Sequence, residues 1–402
     1  MIGISKLYCG AVEPADVLRY NRESKRLPSE LLQFSADKKP VVVWNCTRTC
    51  NLKCEHCYAQ SDARRYDQLS TEQAKEMIDD LGRFGAPVLL FSGGEPCVRP
   101  DLPELIAYAK QAGMRVVIST NGTLITPELA RQFAAVGLSY VGVSFDGDPA
   151  THDRFRGVDG AFDAALRGLR NAREAGIKIG LRFTINKHNW REINDIFDLM
   201  QREHINRACF YHLVYSGRGS EMIDEDLTHE ETRQAVRLIM DRTKQWFDEG
   251  GHPEILTVDN HADGVFVYQE LLKEDPERAA AVLELLQMNQ GNSSGNGIAC
   301  VSWDGEVYAD QFSRDFSFGN VKDRPFSEIW TDKSGDTEAS ARMAKFKDKK
   351  PWVKGRCHEC KWLGICGGNF RARAEAYYGD LWAPDPACYL TDEEIGIATP
   401  AR

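Results

Sequence analysis

The chain has 402 residues, 42% apolar and 27% charged, with a net charge of −10. That size and balance describe a globular protein with a sizeable core and more than one domain, and exclude a disordered or fibrous chain. The acidic balance supplies no basic field for nucleic acid, no run approaches the roughly 18 apolar residues of a spanning helix, and the N-terminus lacks a cleavable leader pattern, so a cytoplasmic protein with neither nucleic acid nor membrane as partner is expected.

Residues 1–38 carry no firm pattern and are read as an N-terminal extension. From residue 40, short apolar runs at 41–44, 87–91, 115–118, 140–143, 177–183 and 208–213 alternate with helical patterns near 71–84, 101–112, 126–136, 160–175 and 190–202. Ser70 or Thr71 before Glu72 marks the start of the first helix, and Asp101 opens the second. Continuous apolar strands separated by helices indicate parallel βα units. Six in a row predict an α/β fold, a partial (β/α)6 TIM-type barrel over residues 39–215. Sites in such a barrel belong at the C-terminal ends of the strands. The polar motifs fall there: a cysteine loop after the first run, Ser92-Gly93-Gly94-Glu95-Pro96 after the second, Ser119-Thr120-Asn121 after the third and Ser144 after the fourth, with Arg182 in the fifth and His212 in the sixth. Residues 216–290 read as a helical connecting region, with helices near 229–248 and 265–289. Residues 291–402 read as a small cysteine-rich α+β domain opening with a hairpin around Asp304-Gly305.

In a large chain without a leader, twelve cysteines point to metal or catalysis rather than disulfides. Cys50, Cys54 and Cys57 share one loop, and three such thiolates can hold three irons of a [4Fe–4S] cube and leave the fourth open. A structural zinc ion needs a fourth local ligand, and His56, wedged between Cys54 and Cys57, cannot converge with them. Cys357, Cys360, Cys366 and Cys388 form a second set, with Cys300 preceding it in the same domain. Cys46 is left out of the first set, and Cys9, Cys97 and Cys209 read as small buried hydrophobes. Gly93 and Gly94 let backbone approach a ligand closely, and Glu95 with the strand-end carbonyls can accept from an ammonium group. Arg182 can pair with a carboxylate in bidentate fashion, and Asn121 and Ser144 suit a ribose or that carboxylate; a structural hydrogen bond is the alternative for each. No catalytic side chain is singled out.

Cys50-x3-Cys54-x2-Cys57, Gly93-Gly94-Glu95-Pro96 and the six βα units resemble the radical S-adenosylmethionine superfamily over roughly residues 40–215. The resemblance implies that the open iron binds S-adenosylmethionine, that an electron from a low-potential donor of flavodoxin or ferredoxin type cleaves it, and that the resulting 5′-deoxyadenosyl radical takes hydrogen from substrate. The second cysteine set resembles a SPASM or twitch-type auxiliary domain, which implies a second, fully ligated [4Fe–4S] cluster; four thiols also suit zinc. Segments 180–186, 211–219, 259–264, 291–295, 367–373 and 382–392 resemble the siroheme-processing branch, which serves haem d1 synthesis and the alternative haem pathway. Segments 1–20 and 301–312 resemble its acetate-removing members most, which implies conversion of didecarboxysiroheme to iron-coproporphyrin III. The alternatives are a haem d1 enzyme removing propionates, a peptide-modifying radical enzyme, and a non-catalytic electron carrier or zinc module. For an iron tetrapyrrole substrate, Arg154, Arg156, Arg218, Arg371 and Arg373 are candidate partners of its carboxylates. His212 or His261 is the candidate axial ligand of its iron.

Overall fold

The computed structural model describes residues 1–10 and 39–397. One ten-stranded sheet organises them. The six apolar runs become β2 (Val41–Thr47), β3 (Val88–Gly93), β4 (Arg115–Thr120), β5 (Tyr140–Ser144), β6 (Ile179–Ile185) and β7 (Arg207–His212), each parallel to the next. Two further strands extend the parallel array. β8 (Glu254–Val258) joins β7 with Cys209 opposite Leu256, and β9 (Ile298–Val301) joins the other side of β2 with Val43 opposite Cys300. β1 (Ile2–Gly3) and β10 (Val307–Tyr308) are antiparallel edges. The order β1-β8-β7-β6-β5-β4-β3-β2-β9-β10 is linear, so the barrel is partial and open.

Strand β8 lies inside the stretch read as a helical connector. Its apolar residues Ile255, Leu256 and Val258 are too few to stand out beside the long helices that flank it. The helix expected over 265–289 is two helices, Ala262–Glu274 and Pro276–Asn289. Pro276 cannot continue the first, and the Asp275 side chain caps the second by accepting from the Arg278 amide at 3.0 Å. The start of the N-terminal extension is also ordered, Ile2 pairing with Thr257 of β8; residues 11–38 lie outside the described residues.

The five expected barrel helices are present, the first at Thr71–Phe84 with Ser70 and Gln73 forming a reciprocal capping box. Asp101 precedes the second but makes no capping bond; its carboxylate pairs with Arg99 at 2.6 Å and accepts from Thr71 at 2.8 Å. A helix missing from the sequence reading, Pro149–Arg156, follows β5 and delivers Arg156 to the open rim. Phe91, Phe183, Phe197 and Phe210 are fully buried between sheet and helices.

Arg371 and Arg373, proposed as substrate cations, are structural. Both are sealed in the fold on the helix Arg371–Tyr378. Arg371 donates to the carbonyls of Leu381 (3.1 Å), Ala383 (2.6 Å) and Gly368. Arg373 pairs with buried Asp385 at 2.9 Å and donates to the carbonyls of Leu213 (3.1 Å) and Asp259 (2.5 Å). A planar guanidinium satisfies several carbonyls at once, and burial puts both arginines out of reach of a ligand in the cavity, although Arg371 Nε has no hydrogen-bond partner among the described residues. Arg373 thereby ties the C-terminal domain to the ends of β7 and β8. Arg373→Met strands the Asp385 carboxylate and is expected to lower unfolding free energy by about 3–5 kcal/mol, measured by denaturant titration; a loss below about 1 kcal/mol would mean the tie is dispensable.

Candidate active site

The C-terminal ends of the parallel strands surround one cavity. Its wall is built from Cys50, Cys54, Cys57 and Tyr58 after β2, Ser92 and Gly93 ending β3 with Gly94 after them, Thr120 ending β4 with Asn121 after it, and Ser144 of β5. Arg182 and Thr184 of β6, Tyr211 and His212 of β7, Asp259 after β8, and Gln311 and Phe312 after β10 complete it.

The cysteine loop fits an iron–sulfur cluster. Cys50 and Cys54 are buried and Cys57 half-buried, and N–H groups point at each sulfur: the Leu52 amide and Asn121 Nδ2 at Cys50 (3.4 and 3.9 Å), Arg156 Nη1 at Cys54 (3.5 Å), and the Ser61 amide at Cys57 (3.5 Å). Such donors favour thiolates over thiols. Burial works the other way and pushes the Cys50 thiol up to about 12, so a cationic metal core is what would hold these sulfurs deprotonated. Cys50, Cys54 and Cys57 would hold that cluster.

Two arginines expected near the substrate serve this loop instead. Arg218 donates to the carbonyls of Cys54 (2.8 Å) and Ser61 (3.0 Å), and Arg156 lies 2.6 Å from Asp146 while reaching Cys54. Arg154 is exposed and rests its guanidinium against the Phe155 ring, 5.0 Å from the centroid. Burial alone would raise Asp146, but Arg156 and then His56 beside it hold its carboxyl below the usual range.

The glycine pair is required by backbone packing. The Gly94 amide donates to the Thr47 carbonyl at 2.7 Å and the Glu95 amide to the Thr49 carbonyl at 3.0 Å. A Cβ on Gly93 or Gly94 would run into those carbonyls, so any side chain would lift this turn off the cysteine loop. Glu95, expected to accept from a ligand ammonium, is fully buried and off the cavity wall. Its carboxylate accepts from Thr120 Oγ1 (2.7 Å), the Asn121 amide (2.8 Å) and the Cys97 amide (3.0 Å). It joins the β3 and β4 loops, and its oxygens are already engaged by these three donors. Asn121 does reach the wall, yet its amide is shared among Asn51 (2.9 Å), Thr123 and Cys50.

Arg182 differs. Its guanidinium lies over the Tyr211 ring at 4.6 Å from the centroid, and among the described residues no carboxylate pairs with it. That leaves a cation facing the cavity beside Ser144. His212 also faces the cavity, with Nε2 2.9 Å from Asp263 Oδ2. His261 does not line the wall; its Nε2 lies 3.3 Å from the Met1 amine, and burial holds its pKa well below the ordinary value.

In the C-terminal domain, Cys357, Cys360, Cys366 and Cys388 come close enough that the other three raise the Cys366 thiol further beyond what burial alone does. The Trp362 amide points at Cys360 (3.3 Å) and Arg356 Nη1 at Cys388 (3.4 Å). The four fit a second cluster. Cys300 stands apart in β9, fully buried and contacted by Asn45 Nδ2 at 3.5 Å.

Sequence reasoning missed Tyr58, Asp146 and Asp259. Tyr58 donates to Asn45 Oδ1 at 2.9 Å and sits 2.9 Å from Ser92 Oγ, closing the wall between β2 and β3; its place directly after Cys57 was the available signal. Asp259 takes a left-handed backbone (φ +67°), and its buried Oδ2 has no hydrogen-bond partner among the described residues. Strain and an unpartnered carboxylate oxygen on one cavity residue mark a functional position.

Residues 44–200 match the family model for the radical SAM superfamily and residues 293–361 that for an iron–sulfur cluster-binding domain, SPASM. The chain is 66% identical over 400 residues to Fe-coproporphyrin III synthase of Methanosarcina barkeri, covering 98% of this chain and 99% of that protein. It is 42% identical over 364 residues to pre-heme d1 synthase of Dinoroseobacter shibae, covering 90% and 89%. Among solved structures, anSMEcpe with bound AdoMet aligns with a TM-score of 0.66 at 19% identity, covering 87% of this chain and 94% of that one. Streptococcus suis SuiB bound to its precursor peptide SuiA aligns at 0.69 and 16%, covering 90% and 79%. These structural likenesses establish the fold.

Asp259 carries a pH signature. Burial first, against the opposing charge of Arg373, pushes its carboxyl from 3.8 up to about 6. The folded chain therefore binds more protons than the unfolded chain between those values, and stability falls as pH rises through that window. Asp259→Asn keeps a residue that tolerates the left-handed backbone and removes the charge. It is expected to stabilise the protein by about 3 kcal/mol at pH 8, with about half of that remaining at pH 5, measured by denaturant unfolding at both values. An effect independent of pH would contradict this account of Asp259.

Proposed function

The chain belongs to the radical SAM superfamily, and from that membership we propose that it removes the two ring acetates of didecarboxysiroheme to give iron-coproporphyrin III. The observation that supports this reading is the likeness, over almost the whole of both chains, to a protein named Fe-coproporphyrin III synthase. A radical SAM domain binds a [4Fe–4S] cluster and S-adenosylmethionine and a SPASM domain binds further iron–sulfur clusters; bound here, they supply an electron and a carbon-centred radical that takes hydrogen from substrate.

The residues divide that task. Cys50, Cys54 and Cys57 hold the first cluster, and Cys357, Cys360, Cys366 and Cys388 the second. Gly93 and Gly94 bring the β3 loop against the cysteine loop, where backbone groups meet the methionyl end of the nucleotide. Arg182 takes its carboxylate, and Ser144, opposite Arg182 in the sheet, supplies a polar group beside it, while Asn121 holds the cysteine loop through Asn51 and Cys50. Tyr58 and Phe312, packed edge to face with centroids 5.1 Å apart, shield the reacting carbon from water. Asp259, Tyr211 and His212 form the wall left for the substrate. Along the chain the parts are an extension (1–38), the radical barrel (39–215), a connecting region (216–290) and the auxiliary domain (291–402). The electron donor is a low-potential protein of flavodoxin or ferredoxin type. Among the described residues no helix is long and apolar enough to cross a membrane.

Anaerobic reconstitution with didecarboxysiroheme, S-adenosylmethionine and dithionite tests the assignment. Mass analysis should show loss of both acetate side chains and a product with the mass of iron-coproporphyrin III. Loss of propionate carbon instead would make the chain a functional relative of pre-heme d1 synthase, and an unchanged tetrapyrrole would refute both. Arg182→Ala is expected to weaken S-adenosylmethionine binding about 10–100-fold with iron content unchanged, read by equilibrium binding; undiminished affinity would move Arg182 to the substrate side.

A further inference from the structure

We propose that His212 is the axial ligand of the substrate's iron, its imidazole fixed for that task by Asp263 and Tyr389. The inference rests on the iron-tetrapyrrole reading above and says where the substrate is gripped.

His212 ends β7 and reaches the cavity wall with only 7% of its surface exposed. Its Nε2 meets Asp263 Oδ2 at 2.9 Å, and Tyr389 donates to the other oxygen, Oδ1, at 2.8 Å. Asp263 is fully buried. A carboxylate only accepts, so Nε2 carries the ring proton and Nδ1 keeps its lone pair. Nδ1 has no hydrogen-bond partner among the described residues, and it is not one of the buried polar atoms cut off from the surface. The ring is therefore locked in one tautomer and one orientation, with its basic nitrogen left for something in the cavity.

A purely structural histidine would be expected to use both nitrogens, and burying a carboxylate to orient one of them is costly unless the orientation is used. Carboxylate, then imidazole, then metal is the order in which proteins fix histidine ligands and raise their basicity. His212 lies across the cavity from the cysteine loop, on β7, five strands along the sheet from β2. An iron held by His212 thus leaves the rim of its macrocycle free to face the first cluster. Arg182 and Asp259 flank the same wall from β6 and β8. His261, the other candidate, has its ring turned toward the Met1 amine and away from this wall.

The test is an anaerobic titration of didecarboxysiroheme into the cluster-loaded protein without S-adenosylmethionine, followed by tetrapyrrole absorption and electron paramagnetic resonance. Wild type should give a nitrogen-ligated iron spectrum. His212→Ala should lose that spectrum, bind at least about tenfold more weakly, and regain the spectrum with added imidazole. Asp263→Asn should keep the spectrum with affinity reduced about tenfold. The metal-free form of the same tetrapyrrole should bind wild type and His212→Ala equally. Retained S-adenosylmethionine binding certifies the folding of each variant; should His212→Ala fail there, Asp263→Asn decides, tested against the iron and metal-free tetrapyrroles: affinity lowered for the iron form alone supports the ligand, and unchanged affinity for both overturns it. Wild-type spectrum and affinity in His212→Ala would overturn the ligand while leaving the tetrapyrrole reading intact. Failure of wild type to bind the iron tetrapyrrole at all would remove that reading, and this ligand with it.

Discussion

Three thiols on one short loop, two buried and one half-buried, must be held close together, and the surrounding structure is organised to hold them. The loop is secured by neighbouring strand ends rather than by its own secondary structure. Gly94 and Glu95 donate to it from the β3 turn, Asn121 reaches it from the β4 loop, and Arg156 and Arg218 clamp its sulfur and carbonyls from beyond β5 and β7. Each tie satisfies a backbone or sulfur acceptor that burial would otherwise leave unpaired. The parallel sheet matters to function because it brings these strand ends to one rim.

The charges follow the same logic. An acidic chain keeps several of its arginines inside, where they are occupied with the fold: Arg373 with Asp385, Arg371 with three carbonyls, Arg156 with Asp146 and Cys54. Arg182 faces the cavity over an aromatic ring with no carboxylate on it among the described residues. That contrast separates scaffold from site better than residue type can, since a guanidinium buried against carbonyls and carboxylates is out of reach of an anionic ligand. His212 and His261 divide in the same way, one oriented by a buried acid toward the cavity and the other turned toward the N-terminus.

Much of this was legible in the sequence because its signals are local. Six apolar runs became β2 to β7, and the polar motifs after them fell on one rim, because strand and helix periodicities are written in consecutive residues. The cysteine spacings placed both thiol sets. Strand β8 was missed because five residues between long helices carry little periodicity; the hairpin around Asp304-Gly305 was read and is the β9–β10 pair, but the parallel pairing of β9 with β2 was not, because it spans the whole barrel. The roles of Glu95, Arg218, Arg371 and Arg373 were misread for a related reason: whether a polar side chain faces a ligand or a distant carbonyl is decided by tertiary partners. Asp259 opens the segment 259–264 whose resemblance was read, but it was not singled out, since its backbone strain and unpartnered oxygen exist only in the fold.

The central claim is that Cys50, Cys54 and Cys57 carry a cluster with one iron left for an external ligand. In protein whose second thiol set is removed by Cys357→Ala and Cys360→Ala, electron paramagnetic resonance of the reduced first cluster reports on that iron alone. The account predicts that S-adenosylmethionine shifts its g-values and that methyl-13C or carboxylate-17O label broadens the signal. A spectrum indifferent to the nucleotide and its labels would contradict the account.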